Sequence, residues 1–201
     1  MEIPIQELPY VQRQLLEICD RYGKTCIMAT ELLKSMVHAP FPTRAEVSDV
    51  YHSVEMGADC LMLSEETAIG KYPVESVQLM KRTIQEAEKY LSCSHSNFTQ
   101  IGDDALSEEK RLIVKHALLL ADELKIKTMI VFTHTGKFPK IISGLHPNQQ
   151  IFAFTTSQSV IDQMRILYAV QGIKLQEWAE HTSENQELAI KLLLKKRFIT
   201  P

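Results

Sequence analysis

Apolar positions along this chain follow two rhythms, short unbroken runs and helical stripes, and the two alternate. After Pro9, a favoured first-turn residue, Val11, Leu15, Ile18 and Cys19 fall on one helical face. The spacing predicts a helix ending at Gly23. Residues 25–29 (TCIMA) read as a short buried strand, and 31–38 as a short helix stopped by Ala39-Pro40-Phe41-Pro42. Thr43-Arg44-Ala45-Glu46 is a capping box, in which the threonine oxygen accepts from the third helical amide and the glutamate reaches back. Val47, Val50, Tyr51 and Val54 make the stripe of that helix, and Gly57 stops it. Residues 60–63 (CLML) form the next strand. From Pro73 a long helix carries Val77, Met80, Ile84, Ala87 and Leu91.

The rhythm then fails. Residues 92–106 are rich in serine, glycine and aspartate and have no period, which predicts a linker between two domains, 1–91 and 107–201. Beyond it a helix has Ile113, Ala117, Leu120, Ala121 and Leu124 on one face. Strands over 129–132, 151–154 and 173–178 alternate with helices starting near Pro139 and Ser157 and spanning 184–196. Strand-helix alternation on both sides of the linker predicts an α/β protein with mostly parallel sheets covered by helices.

Composition changes this picture little. The 201 residues are 45% hydrophobic and 23% charged, an ordinary globular mix, and the net charge of -3 offers no general attraction to nucleic acid or anionic lipid. No apolar run approaches the ~20 residues of a membrane span, and the N-terminal residues lack the pattern of a secretory signal. Four scattered cysteines form no CxxC pair; Cys26 and Cys60 lie in apolar runs, where thiols act as small hydrophobes. This usage predicts a reducing compartment. The seven histidines show no metal-ligand spacing, so no metal ligands are assigned.

Candidate chemistry gathers where strands end, the place where parallel α/β folds build sites. Thr30 follows the first strand; it either hydrogen-bonds an anion or caps the next helix. Ser64-Glu65-Glu66-Thr67 follows the second strand, either as a proton relay with anion-holding amides or as a plain polar loop. Thr133, His134, Thr135, Gly136 and Lys137 follow the third, either as a phosphate cradle or as an ordinary turn. The pattern is not a P-loop. Thr155-Thr156-Ser157 could face the same crevice or cap a helix.

Three segments then carry a resemblance. IMATELLKSM at 27–36, PTRAEVSDV at 42–50 and GADCLMLSEETAIGKYP at 57–73 resemble the pyruvate kinase family. The resemblance implies that residues 1–91 are the last two strand-helix units of a TIM barrel. Residues 107–201 would be most of a three-layer α/β/α C-terminal regulatory domain. It implies phosphoryl transfer from phosphoenolpyruvate to ADP, giving pyruvate and ATP in glycolysis, in the cytoplasm, by a homo-oligomer that is a tetramer in the family. It implies Mg2+ and K+ as cofactors, with ligands outside this chain: the family's metal-binding Arg-Gly-Asp-Leu-Gly would directly precede Met1, and two further strands would follow Pro201. By the same resemblance Thr30 contacts the substrate carboxylate, Ser64 serves the proton relay to the enolate, Arg44 lies at a subunit contact, and residues 133–137 bind a phosphorylated effector. Three positions depart from the family: Glu31 for glutamine, Glu65 for glycine, and Phe138 for a hydroxyl residue. Glu65 adds negative charge beside anionic substrates unless it points away. The isolated chain is expected to be inactive, because phosphoryl transfer depends on cation electrostatics. The alternative reading is a non-catalytic effector-binding or oligomerisation module.

Overall fold

The computed structural model describes residues 3–22, 24–90, 108–179 and 181–199. Gly23, Leu91, Cys93 and the 92–106 linker lie outside them. The chain divides into two compact units, Met1–Ala105 with Gly144–His146, and Leu106–Ser143 with Pro147–Pro201.

In the first unit, helix α1 (Leu8–Arg21) leads to strand β1 (Ile27–Ala29), a 3-10 turn (Lys34–Val37) and helix α2 (Arg44–Glu55). Strand β2 (Cys60–Met62), the short helix α3 (Glu65–Ala68) and helix α4 (Pro73–Glu88) follow. The capping box forms as read: Glu46 N–H donates to Thr43 Oγ1, and the Glu46 carboxylate accepts from Thr43 N–H. Gly57 ends α2 at φ +89, a left-handed conformation that costs glycine nothing. β1 and β2 pair in parallel, Ile27 opposite Cys60 and Ala29 opposite Met62. Leu32, Leu33, Met36, Val50 and Met80 are buried together, with Met28, Leu61 and Leu63 packed against them. α2 and α4 thus cover the pair of strands as helices cover a barrel wall.

The second unit starts with helix α5 (Glu108–Glu123) and strand β3 (Thr128–Phe132). Helix α6 (Lys137–Ser143), strand β4 (Gln150–Thr155), helix α7 (Gln158–Met164), strand β5 (Val170–Lys174) and helix α8 (Thr182–Lys195) complete it. The sheet is parallel in the order β3-β4-β5. Side chains alternate across it: Phe152 and Phe154 pack with Ala189 and Leu193 of α8, while Ala153 packs with Ile161 and Met164 of α7. Helices on opposite faces make the α/β/α layering.

Four expectations need correction. Residues 31–38 form no α-helix, because Thr30 and Glu31 take left-handed φ of +75 and +56 and only the 3-10 turn Lys34–Val37 follows. The third strand of the second sheet is Val170–Lys174 rather than 173–178; Leu175 is buried and Trp178 half-buried without being strand. In α5, Ile113 and Leu120 are exposed, as is Leu124 just after it, and the buried stripe is Val114, Leu118 and Ala121. In α1, Leu15 and Ile18 are more than 45% exposed and Leu16 is buried instead; in α4, Val77 is exposed as well, while Met80 and Ala87 are buried as the stripe predicts.

Candidate functional site

The parallel register sets the ends of β1 and β2 side by side, so the loops after Ala29 and Met62 open at the same edge. One buried carboxylate joins them. Glu66, 1% exposed, accepts the Leu33 N–H at 3.1 Å and the Ser64 N–H at 2.8 Å. A buried charge is costly unless hydrogen-bonded, and here both bonds come from backbone amides of the two loops that carry the candidate residues. Lys71 N–H donating to the Val37 carbonyl at 2.9 Å ties the same segments again.

Thr30 is exposed at the head of the first loop. A β-branched residue at φ +75 is a genuine outlier, and such a conformation costs on the order of 1–3 kcal/mol. The surrounding bonds hold it there. Neither candidate hydroxyl caps a helix: the 3-10 turn is headed by Leu33 and α3 by Ser64, both without a side-chain cap. Capping, the simplest alternative for Thr30, is therefore not its role. Ser64 lies half-buried, its backbone fixed by Glu66 and by its carbonyl accepting from Ala68 N–H at 3.0 Å.

Glu65 turns toward Lys34, their charged groups 2.6 Å apart. The hydrogen bond that Lys34 donates to Glu65 raises the Lys34 pKa, and Glu31 and Glu66 add to the negative field around it. The Glu65 carboxylate that departs from the family pattern is thus paired with a cation. Arg44 is exposed at the first position of α2. Behind it Glu46 also accepts from Ser35 N–H and Ser35 Oγ, each at 2.6 Å. Burial pushes Glu46 up, but the bonds from Ser35 and Thr43 outweigh it and hold the carboxyl below its ordinary value.

In the second unit the loop after β3 is bonded to itself. Thr133, buried, accepts the Gly136 N–H on its hydroxyl at 2.9 Å, and its own N–H donates to Phe154. Gly136 has φ +75, and a Cβ there would meet Val160 Cγ1 at 3.2 Å. His134, Thr135 and Lys137 are exposed. The His134 ring lies 4.8 Å from Trp178, whose buried Nε1 has no hydrogen-bond partner among the described residues. Ser157 caps α7 by accepting from Val160 N–H, and Thr155 accepts the Ser157 N–H. These two are therefore engaged in turn geometry. Trp178 reads in the sequence only as the end of a strand, and Glu66 only as a member of the polar loop Ser64-Glu65-Glu66-Thr67. The lone tryptophan of the chain was the available signal for the first, whereas nothing local announces the bridging role of the second.

The described residues contain no group of three or more His, Cys, Asp or Glu placed to hold a metal ion. Among them, no helix is long and apolar enough to cross a membrane.

Comparison with known proteins now bears on the arrangement. Residues 1–77 match the family model "Pyruvate kinase, barrel domain" and residues 111–201 match "Pyruvate kinase, alpha/beta domain". The chain is 34% identical over 181 residues to the pyruvate kinase of Methanocaldococcus jannaschii, covering 89% of this chain and 39% of that protein. It is 37% identical over 198 residues to pyruvate kinase isozyme G, chloroplastic, of Nicotiana tabacum, covering 98% and 35%. A crystal structure of Cryptosporidium parvum pyruvate kinase superposes with a TM-score of 0.91 at 30% identity, covering 99% of this chain and 41% of that one. The same enzyme has been solved in complex with ADP, at a TM-score of 0.88. The chain thus spans roughly two fifths of the length of these relatives. With both halves matched by the family's own two domain models and the strand-end loops in place, the chain belongs to the pyruvate kinase family.

Proposed function

We propose that residues 1–91 supply part of the substrate site of a phosphoenolpyruvate:ADP phosphotransferase acting in glycolysis. Residues 107–201 are its regulatory domain, joined through 92–106. The observation that carries this reading is the Glu66 bridge, which holds the loops of Thr30 and Ser64 at one edge of a parallel strand pair. In this reading the Thr30 hydroxyl donates to the carboxylate of phosphoenolpyruvate and keeps the three-carbon unit in register. When the phosphoryl group leaves for ADP, an enolate remains. Ser64 passes a proton toward its methylene carbon, giving pyruvate.

Magnesium and potassium would neutralise the migrating phosphoryl charge in the complete enzyme. The described residues do not fit a divalent ion. The steps assigned to this chain are therefore binding and proton transfer alone. Arg44, exposed at the start of α2, is assigned to a contact between subunits of a homo-oligomer, tetrameric as in the family, located in the cytoplasm.

The test is pyruvate formation by the purified chain from phosphoenolpyruvate and ADP with magnesium and potassium. None is expected. Turnover that vanishes in Ser64→Ala would overturn the division of labour, since the chain would then assemble the whole site.

A second reading, an effector-binding module, is favoured by the loop at 133–137 and the unpartnered Trp178 Nε1 beside it. With the Thr133 hydroxyl spent on Gly136, Thr135, Lys137 and His134 are the groups left for a phosphate. A phosphate-ester titration should raise the melting temperature; a flat response up to about millimolar ligand rules this reading out, because such an affinity would be too weak to regulate.

A further inference from the structure

Beside the buried Glu66 bridge, a second tie joins the same two loops at the surface. Lys34 Nζ donates to Glu65 Oε2 at 2.6 Å across 31 positions of sequence, and both side chains are about half exposed. Each end is rooted in backbone that other bonds already fix. Lys34 stands between Leu33, whose N–H is held by Glu66, and Ser35, whose N–H and Oγ donate to Glu46 at 2.6 Å. Glu65 directly follows Ser64, and its carbonyl accepts from Ile69 N–H at 3.0 Å and Gly70 N–H at 2.8 Å. An exposed ion pair ordinarily contributes little, because holding two long side chains in one geometry costs entropy. Here the two stems start from fixed points, so only their rotamers remain to be ordered.

The segment that this tie closes is strained. Thr30 and Glu31 lead from β1 into the turn that carries Lys34, and both take left-handed φ, +75 and +56. Two consecutive non-glycine residues in that region relax once their flanks are released. One flank is anchored by the pairing of Ala29 with Met62, the other by the bonds at Leu33 and Lys34. We propose that Lys34 is a positioning residue, and that its ion pair with Glu65 is a charge-operated clasp between the Thr30 and Ser64 loops. Closed, it holds the loops together over the Glu66 bridge. Screened or broken, it lets residues 30–31 relax and the loops part more often.

The clasp also accounts for Glu65, where the family has glycine. A bare carboxylate beside an anionic substrate would repel it, but one engaged by a lysine adds little net charge to that edge. Lys34 and Glu65 therefore act as one unit, and neither is assigned a contact with substrate. That the clasp positions substrate-binding groups rests on the phosphotransferase reading above; that it holds the two loops together does not.

The experiment follows amide hydrogen exchange by NMR, residue by residue, on the whole chain. The reporters are the Leu33 and Ser64 N–H groups, which exchange when the Glu66 bridge opens. Raising sodium chloride from about 0.01 M to about 1 M shortens the screening length from ~30 Å to ~3 Å. Both amides should then exchange about threefold faster, the scale of a lost exposed pair. Lys34→Met should give the same rise at low salt and lose most of the salt response. Lys34→Glu combined with Glu65→Lys should bring protection back toward wild type, which either reversal alone does not. The Val50 and Met80 amides, on helices of the same core, should not change. Leu33 and Ser64 rates that ignore either salt or Lys34→Met would overturn the proposal. So would acceleration of Val50 and Met80 in step with them, since the pair would then act on overall stability alone. The readout needs no turnover, so it holds or fails apart from the phosphotransferase reading.

Discussion

Glu66 carries the site at the level of single residues. It is buried, with a carboxylate bonded to two amides from loops on different strands. Glu66→Ala leaves the Leu33 and Ser64 N–H groups without their acceptor, a loss of about 1–3 kcal/mol for each buried donor left unmade. Glu66→Gln retains one acceptor oxygen and should fall between. Urea unfolding of the three proteins checks this: the midpoint should drop most for alanine, and equal midpoints would mean the bridge does not hold the loops. Thr30 and Ser64 were legible as hydroxyls following short apolar runs. The bridge was not, because its ends are 33 residues apart and meet only through strand pairing. The left-handed pair Thr30 and Glu31 was equally hidden, since neither residue favours that conformation by itself.

At the scale of elements, α2 is the clearest case of sequence dictating structure and of structure adding to it. Its capping box was readable from Thr43 and Glu46, but the two bonds from Ser35 were not. Those bonds couple the start of α2 to the 3-10 turn that follows Thr30. Because the Glu46 carboxyl lies below its ordinary value of 4.5 in the folded chain, folding favours its ionised form. Its contribution is complete above that value and is lost as pH falls through the depressed native one. Thermal melts of wild type and Glu46→Gln should therefore differ at neutral pH and converge in acid; a gap that persists or widens there would contradict the sign. Helix α5 shows the limit of pattern reading. It is apolar on more than one side, with Ile113 and Leu120 as available as Val114, Leu118 and Ala121, and packing alone selects the second set. The strand ending at Lys174 shows the same limit, since Leu175 and Trp178 are apolar enough to extend it on paper.

For the whole molecule, the two units differ in how much sheet they hold. The second has a three-stranded sheet with helices on both faces and a core built on Phe152, Phe154 and Leu193. Among its described residues the first has two strands, and Ile27 and Met62 are each more than 40% exposed. A barrel in this family closes with eight strands. The fold class was legible because alternation of runs and stripes survives in any piece of an α/β chain. The meaning of the exposed faces was not, since it depends on what they pack against. The account stands on the paired loops being a working portion of a phosphotransferase site. The direct measurement replaces the matching barrel segment of the Methanocaldococcus jannaschii relative with residues 1–77 and follows pyruvate formation. The graft should turn over, and within it Ser64→Ala should lower kcat by about a hundredfold, the scale of a lost proton-transfer group, while Thr30→Val raises KM for phosphoenolpyruvate. A folded, active graft in which both substitutions leave kcat and KM unchanged would contradict the assignment.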